Sequence, residues 1–136
     1  MKKQNILVVD DHRENLIAME ALLEAEDRNL VMAGSGNEAL ALALKHDFAL
    51  VLLDVQMPEM DGFEATQRIR EYERRQGLVA VPIVALTAHI LREHRERSLA
   101  SGMNAHIPKP VEMSVLREAL VRFTRKDPGA ADGDAN

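Results

Sequence analysis

The 136 residues are enough for one domain with its own core, and a hydrophobic share of 46% is ordinary for a globular chain. A net charge of −5, with one Tyr, three Phe and no Trp, argues against a nucleic-acid surface, whether electrostatic or base-stacking. The lack of cysteine excludes disulfides, thiolate metal sites and cysteine nucleophiles, and no stretch approaches the roughly 18 apolar residues of a membrane span.

The apolar run after Met1–Asn5 is too short for the core of a signal peptide, so the expected location is the cytoplasm. That run, Ile6–Val9, reads as a strand buried on both faces. A helix follows over Glu14–Ala25, with Leu16, Met19, Leu22 and Leu23 at helical spacing. Leu30–Ala33 forms a second strand, Gly34-Ser35-Gly36 turns, and Asn37 is the expected cap of a helix through Lys45. Ala49–Leu53 is the third and most apolar strand, which suits a central position. Met57–Gly62 is a loop, and the next helix spans Phe63–Arg75 with Gly77 as its stop. Pro82 opens the fourth strand, Ile83–Leu86. A helix over Ile90–Ser101 ends at Gly102, the fifth strand is Ala105–Ile107, and the last helix covers Glu112–Thr124. Residues 1–126 are expected to form the domain, and 127–136, small and acidic, a disordered tail.

Strand and helix alternate five times, so the predicted fold is a doubly wound (βα)5 flavodoxin-like domain. Its five-stranded parallel sheet has the order 2-1-3-4-5, with helices on both faces. In such a sheet the carboxyl ends of the strands share one edge, where ligands bind. Asp10-Asp11, Asp54, Thr87 and Lys109 all follow strand-like runs and would converge there. Three carboxylates in one cleft repel each other, by about 4 kcal/mol per pair at 4 Å and an effective dielectric near 20. A divalent cation removes the conflict, and oxygen-only donors select Mg²⁺, Mn²⁺ or Ca²⁺. Lys109 adds a fixed positive charge and Thr87 a hydroxyl donor, both suited to phosphoryl oxygens.

The segments Val8-Val9-Asp10-Asp11, Leu53–Gly62, Ala85-Leu86-Thr87-Ala88 and Lys109-Pro110 together resemble the response-regulator receiver domain of two-component signalling. The resemblance spans residues 5–125, and the ordered set is far more specific than any one motif. It implies that Asp54 accepts a phosphoryl group from a phosphohistidine of a histidine kinase or histidine phosphotransfer protein. It also implies that Asp10, Asp11 and Asp54 hold Mg²⁺ together with the backbone carbonyl of Gln56. Thr87 and Lys109 would contact the phosphoryl group, and a cis peptide would precede Pro110. Such a protein catalyses only its own phosphorylation and dephosphorylation. Asn15 and Gly102–His106 resemble receivers of hybrid histidine kinases or phosphorelays. In the family an aromatic switch residue sits three positions before the lysine. Here that residue is His106, a departure that leaves a pH-responsive switch or a solvent-facing imidazole as alternatives. A homodimer on phosphorylation, through the fourth helix, fifth strand and fifth helix, is compatible with the resemblance, but no residue points to it.

Gln56 and His89 flank the pocket, where the resemblance implies control of water access. Arg92, His94, Arg95 and Arg97 alternate with Glu93 and Glu96, and Arg68, Arg70, Arg74 and Arg75 with Glu71 and Glu73. Both sets read as solvated faces with weak ion pairs, or else as part of a partner surface. Leu16 and Met19 fit the core more readily than a contact with the phosphodonor. Two other functions compete: a Mg²⁺-dependent aspartyl-phosphate phosphatase, disfavoured by the compact chain, and a non-phosphorylated interaction module, disfavoured by the complete pocket.

Overall fold

The structure, a computed structural model, describes residues 4–23, 28–88 and 92–124, with the side chains of 92–95 and 98 excepted. Ten elements alternate along the chain: β1 (Gln4–Val9), α1 (Arg13–Leu23), β2 (Arg28–Ala33), α2 (Gly36–Lys45), β3 (Leu50–Asp54), α3 (Gly62–Gln76), β4 (Ile83–Thr87), α4 (Arg92–Ser101), β5 (Ala105–Pro108) and α5 (Met113–Thr124). All strand pairs are parallel, in the order β2-β1-β3-β4-β5.

Residues alternate in direction along a strand, so each buried strand serves two cores. Ile6 and Val8 of β1, Leu50 and Leu52 of β3, and Val84 and Leu86 of β4 point to one side, against Met19 and Leu23 of α1 and Leu116 and Leu120 of α5. Leu7 and Val9, Val51 and Leu53, and Ile83 and Ala85 point to the other, against Ala39 of α2 and Phe63, Ala65 and Ile69 of α3. Every residue of β3 and β4 is buried. Burying one such aliphatic side chain is worth about 1.5–3 kcal/mol relative to leaving it exposed. Met19 and Leu16 therefore lie on the core side of α1, as their spacing predicts.

The helix starts depart from expectation by a residue or two, and one cap moves. The N-cap of α2 is Ser35, not Asn37: Ser35 Oγ accepts from Glu38 N at 3.1 Å, and Glu38 Oε1 accepts from Gly34 N at 2.8 Å. This reciprocal pair satisfies two donors at once, which Asn37, exposed inside the helix, cannot do. Asp61 caps α3 by accepting from Glu64 N at 2.9 Å. Gly77 ends that helix in the left-handed region (φ 67°), as predicted, and Gly102 (φ 105°) follows α4. The expectations for Ala25, His89, Ile90 and the tail lie outside the described residues, as do those for the side chains of Arg92, Glu93, His94 and Arg95.

The charged face of α3 is only partly a solvated one. Arg68–Glu64 and Arg75–Glu71 are exposed i,i+4 pairs. Arg70 and Glu73 are not: their side chains are 12% and 9% exposed, with Arg70 Nη1 2.8 Å from Glu73 Oε1. Arg70 also donates to Gly102 O at 2.9 Å and to Asn104 Oδ1 at 2.9 Å. Glu73 Oε2 accepts from Val81 N at 2.8 Å. The network joins α3 to the segment entering β4 and to the turn between α4 and β5.

Candidate functional site

The carboxyl ends of β1, β3, β4 and β5 line up in register: Val9 lies opposite Leu53, Asp54 opposite Leu86, and Thr87 opposite Pro108. Asp10, Asp54, Thr87 and Lys109 therefore meet at one edge. Lys109 Nζ lies 3.1 Å from Asp10 Oδ2 and 3.3 Å from Asp54 Oδ1, bridging residues far apart in sequence. The Lys109 N–H donates to Thr87 O at 2.8 Å, which fixes the start of the lysine's loop on β4. The peptide before Pro110 is cis, as expected.

Asp10 and Asp54 are 1% and 3% exposed. Burial pushes the Asp10 carboxyl upward, but the His12 N–H (2.9 Å), the Lys109 ammonium and the Asn15 amide (3.2 and 3.3 Å) together hold it below the usual carboxylate value. For Asp54 the balance is reversed. Burial raises its pKa, the charge of Asp10 adds to that, and the Gln56 N–H (3.2 Å) and Lys109 offset only part. Burial pulls the Lys109 ammonium down, yet the charges of Asp54 and Asp10 outweigh it and its pKa is raised. Asn15, singled out in the sequence as a subtype mark, thus acts on Asp10 directly.

The pocket suits a divalent cation. Donor atoms of Asp10, Asp11, His12 and Asp54 all lie within 4.8 Å of one another. Among the described residues, Asp11 Oδ1 is sealed from solvent without a hydrogen-bond partner, a costly state for a carboxylate oxygen. His12 Nδ1 stands 3.2 Å from that oxygen, in ion-pair range but without hydrogen-bond geometry. Among the described residues, one ammonium faces three carboxylates there, an excess of negative charge that a cation would balance. Sequence reasoning passed over His12; the only signal was its place directly after the acidic pair.

The loop between β3 and α3 is held against the pocket by close backbone approach. A Cβ on Gly62 would lie 2.5 Å from Asp54 O, and one on Gly36 would lie 2.4 Å from Met60 O. Met57 and Met60 of the loop are themselves buried. This seating places Glu59 in the left-handed region (φ 68°), at about 1–2 kcal/mol for a residue with a Cβ. Glu59→Gly relieves that strain, and we expect it to raise the unfolding free energy by about 1 kcal/mol, read from the urea midpoint at unchanged slope. A lower midpoint would mean that the Glu59 side chain stabilises the loop by more than its backbone costs.

Thr87 is 4% exposed at the end of β4. His106 is half-buried on β5, opposite Ala85. Gln56 is exposed, with its N–H turned to Asp54. Beside the pocket an apolar groove of about 460 Å³ is lined by Ala18, Met19 and Leu22 of α1 and by Val111. Chemically, the site offers a buried carboxylate beside an ammonium and a set of donors for a hard cation, which suits phosphoryl transfer. No helix among the described residues is long and apolar enough to cross a membrane.

A family model described as the response regulator receiver domain matches residues 6–121. The sensor protein GacS of Pseudomonas syringae pv. syringae is 38% identical over 88% of this chain, which spans only 13% of that relative's length. The receiver domain of the sensor histidine kinase PA1611 of Pseudomonas aeruginosa PAO1, with magnesium coordinated in its active-site cleft, is 33% identical; the match covers 91% of this chain and 99% of that one, at a TM-score of 0.80. A chain from the co-crystal of the Saccharomyces cerevisiae histidine phosphotransfer protein Ypd1 with the receiver domain of its response regulator Ssk1 is 28% identical; the match covers 98% and 96% of the two chains, at a TM-score of 0.89. With its sheet order, its strand-end residues and these matches in agreement, the chain belongs to the response regulator receiver domain family.

Proposed function

We propose that Asp54 accepts a phosphoryl group from the phosphohistidine of a histidine kinase or histidine phosphotransfer protein. The observation that carries this reading is Lys109 Nζ, 3.3 Å from Asp54 Oδ1 and 3.1 Å from Asp10 Oδ2 at the shared strand edge. A carboxylate oxygen of Asp54 attacks phosphorus, a P–O bond forms, the P–N bond to the donor imidazole breaks, and that imidazole leaves with the electron pair. Asp54 suits the role because burial and the charge of Asp10 raise its basicity. Lys109 stands ready to follow the charge as it moves onto the phosphoryl oxygens, and the Thr87 hydroxyl, one strand away, donates to another.

Asp10, Asp11, Asp54 and the Gln56 carbonyl would hold Mg²⁺, which when bound neutralises phosphoryl charge. The phosphodonor docks along the groove between α1 and Val111, which opens beside Asp10 and Lys109. The likeness to a receiver crystallised with a histidine phosphotransfer protein supports that choice of donor. Phosphorylation then biases the region from β4 to α5 through Thr87, with His106 in the place of the aromatic switch residue. In this reading the domain acts in the cytoplasm and catalyses only its own phosphorylation and dephosphorylation.

The test is intact mass after incubation with Mg²⁺ and acetyl phosphate. The expected result is a labile gain of one phosphoryl group that Asp54→Asn abolishes. A gain that persists in Asp54→Asn would move the acceptor elsewhere. No gain from either acetyl phosphate or a phosphorylated histidine phosphotransfer protein would overturn the reading.

A further inference from the structure

We propose that His12 is an additional ligand of the pocket's cation and makes the pocket prefer nitrogen-seeking first-row ions, Zn²⁺ in particular, over Mg²⁺. The inference rests on the metal-site reading above and goes beyond it in the identity of the ion. Mg²⁺ at about 2.1 Å from its donors puts neighbouring ligands about 3.0 Å apart in octahedral geometry, and tetrahedral Zn²⁺ at nearly the same distance puts them about 3.4 Å apart. His12 Nδ1 lies 3.2 Å from Asp11 Oδ1 and 3.5 Å from Asp10 Oδ1, close to the neighbouring-ligand spacing. The whole set, with Asp54, falls within 4.8 Å.

A second observation points the same way. Asp11 Oδ1 is sealed from water and has no hydrogen bond among the described residues, with the His12 ring nitrogen in ion-pair range at 3.2 Å. Two such atoms, in ion-pair range but without hydrogen-bond geometry, are placed so that both can face one bound ion. The His12 side chain is 64% exposed, so little packing holds it, and its rotation costs little when an ion enters. The remaining donors, carboxylates and the Gln56 carbonyl, are oxygen ligands that suit Mg²⁺ and that Zn²⁺ also accepts. The imidazole is the donor that separates them: Mg²⁺ gains little from nitrogen, whereas Zn²⁺ takes it as a preferred ligand. Three consecutive residues, Asp10, Asp11 and His12, would then chelate one ion from the end of β1. The consequence for the proposed reaction is that Zn²⁺ competes with Mg²⁺ for the pocket.

The test is calorimetric titration of Mg²⁺ and of Zn²⁺, separately, into the untagged chain and its His12→Ala variant near neutral pH. The Zn²⁺ titration is repeated in excess Mg²⁺, so that only binding displaced by Mg²⁺ counts as pocket binding and other histidines drop out. The expected result is that His12→Ala weakens the Mg²⁺-displaceable Zn²⁺ binding by about tenfold or more and leaves Mg²⁺ affinity within about twofold. Equal Zn²⁺ affinity in the two proteins, or an equal loss for both ions, overturns the role of His12 while leaving the metal site in place. Absence of Mg²⁺ binding in the unaltered chain overturns the metal-site reading itself, and the inference with it.

Discussion

Asp54→Asn unfolds at a higher urea concentration than the unaltered protein near neutral pH without a divalent cation, by about 1 kcal/mol or more in unfolding free energy. The buried carboxylate meets one ammonium that it must share with Asp10, and its pKa is raised by burial first and by Asp10 second. Asn keeps the shape and the acceptor for the Gln56 N–H but removes the charge. Because the folded pKa lies above the unfolded value of 3.8, the folded state binds the proton more tightly. The penalty from ionised Asp54 is therefore complete above the folded pKa, shrinks as pH falls through it, and vanishes below about 3.8. The advantage of Asp54→Asn should follow the same course.

Asp10 behaves oppositely: its lowered pKa contributes stability above 3.8 that both proteins lose on acidification. Mg²⁺ at ten times its dissociation constant adds about 1.4 kcal/mol to a protein that binds it. The unaltered chain gains that increment and Asp54→Asn gains less, so Mg²⁺ narrows the gap. An Asp54→Asn protein that is less stable at neutral pH without cation, or whose advantage grows toward pH 4, would show that Lys109 more than compensates the buried charge.

What the sequence reveals of this molecule divides along a physical line. The strands are legible because each is a short aliphatic run, and the two cores emerge from its alternation without further information. The strand-end residues are legible for a related reason: parallel strands bring their carboxyl ends to one edge, so Asp10, Asp54, Thr87 and Lys109 need only follow their strands to meet. The cap of α2 is ambiguous because Ser35-Gly36-Asn37-Glu38 contains two good capping residues, and only the Ser35–Glu38 reciprocity decides between them. Gly36 and Gly62 carry no local sign that backbone atoms of Met60 and Asp54 lie against them. Arg70 resembles its exposed neighbours Arg68 and Arg75, since helical periodicity cannot report a turn 32 residues further on. His12 escapes notice because the adjacent acidic pair accounts for the chemistry by itself.

Arg70→Ala lowers the unfolding free energy by about 3 kcal/mol, on the order of 10 °C in midpoint for a domain of this size. The guanidinium makes three side-chain hydrogen bonds, to Glu73, Gly102 and Asn104. Its removal leaves the Glu73 carboxylate, 9% exposed, with the Val81 N–H at 2.8 Å and without its cationic partner. An uncompensated buried charge, rather than the lost attraction, dominates that cost. The pair should therefore couple: Glu73→Gln alone costs about 1 kcal/mol, and the double variant is more stable than Arg70→Ala by a comparable amount.

The same geometry predicts what does not change. Asn104 Oδ1 accepts from Ile83 N, at the first residue of β4, whereas Thr87 ends that strand at the pocket. Four residue steps of about 3.3 Å put roughly 13 Å between the network and the site. Arg70→Ala, assayed well below its unfolding transition, should gain the phosphoryl group from acetyl phosphate as the unaltered chain does. Arg70 anchors the turn after α4, while Arg97, 3.5 Å from Asp61 and 4.3 Å from the Phe63 ring centre, links α4 to the start of α3 near the pocket. If Arg70→Ala slowed phosphorylation at full folding, the turn after α4 and the middle of that helix would be coupled and the network would be part of the switch. If it destabilised the chain by less than about 1 kcal/mol, the buried pair would be nearly balanced by its own desolvation.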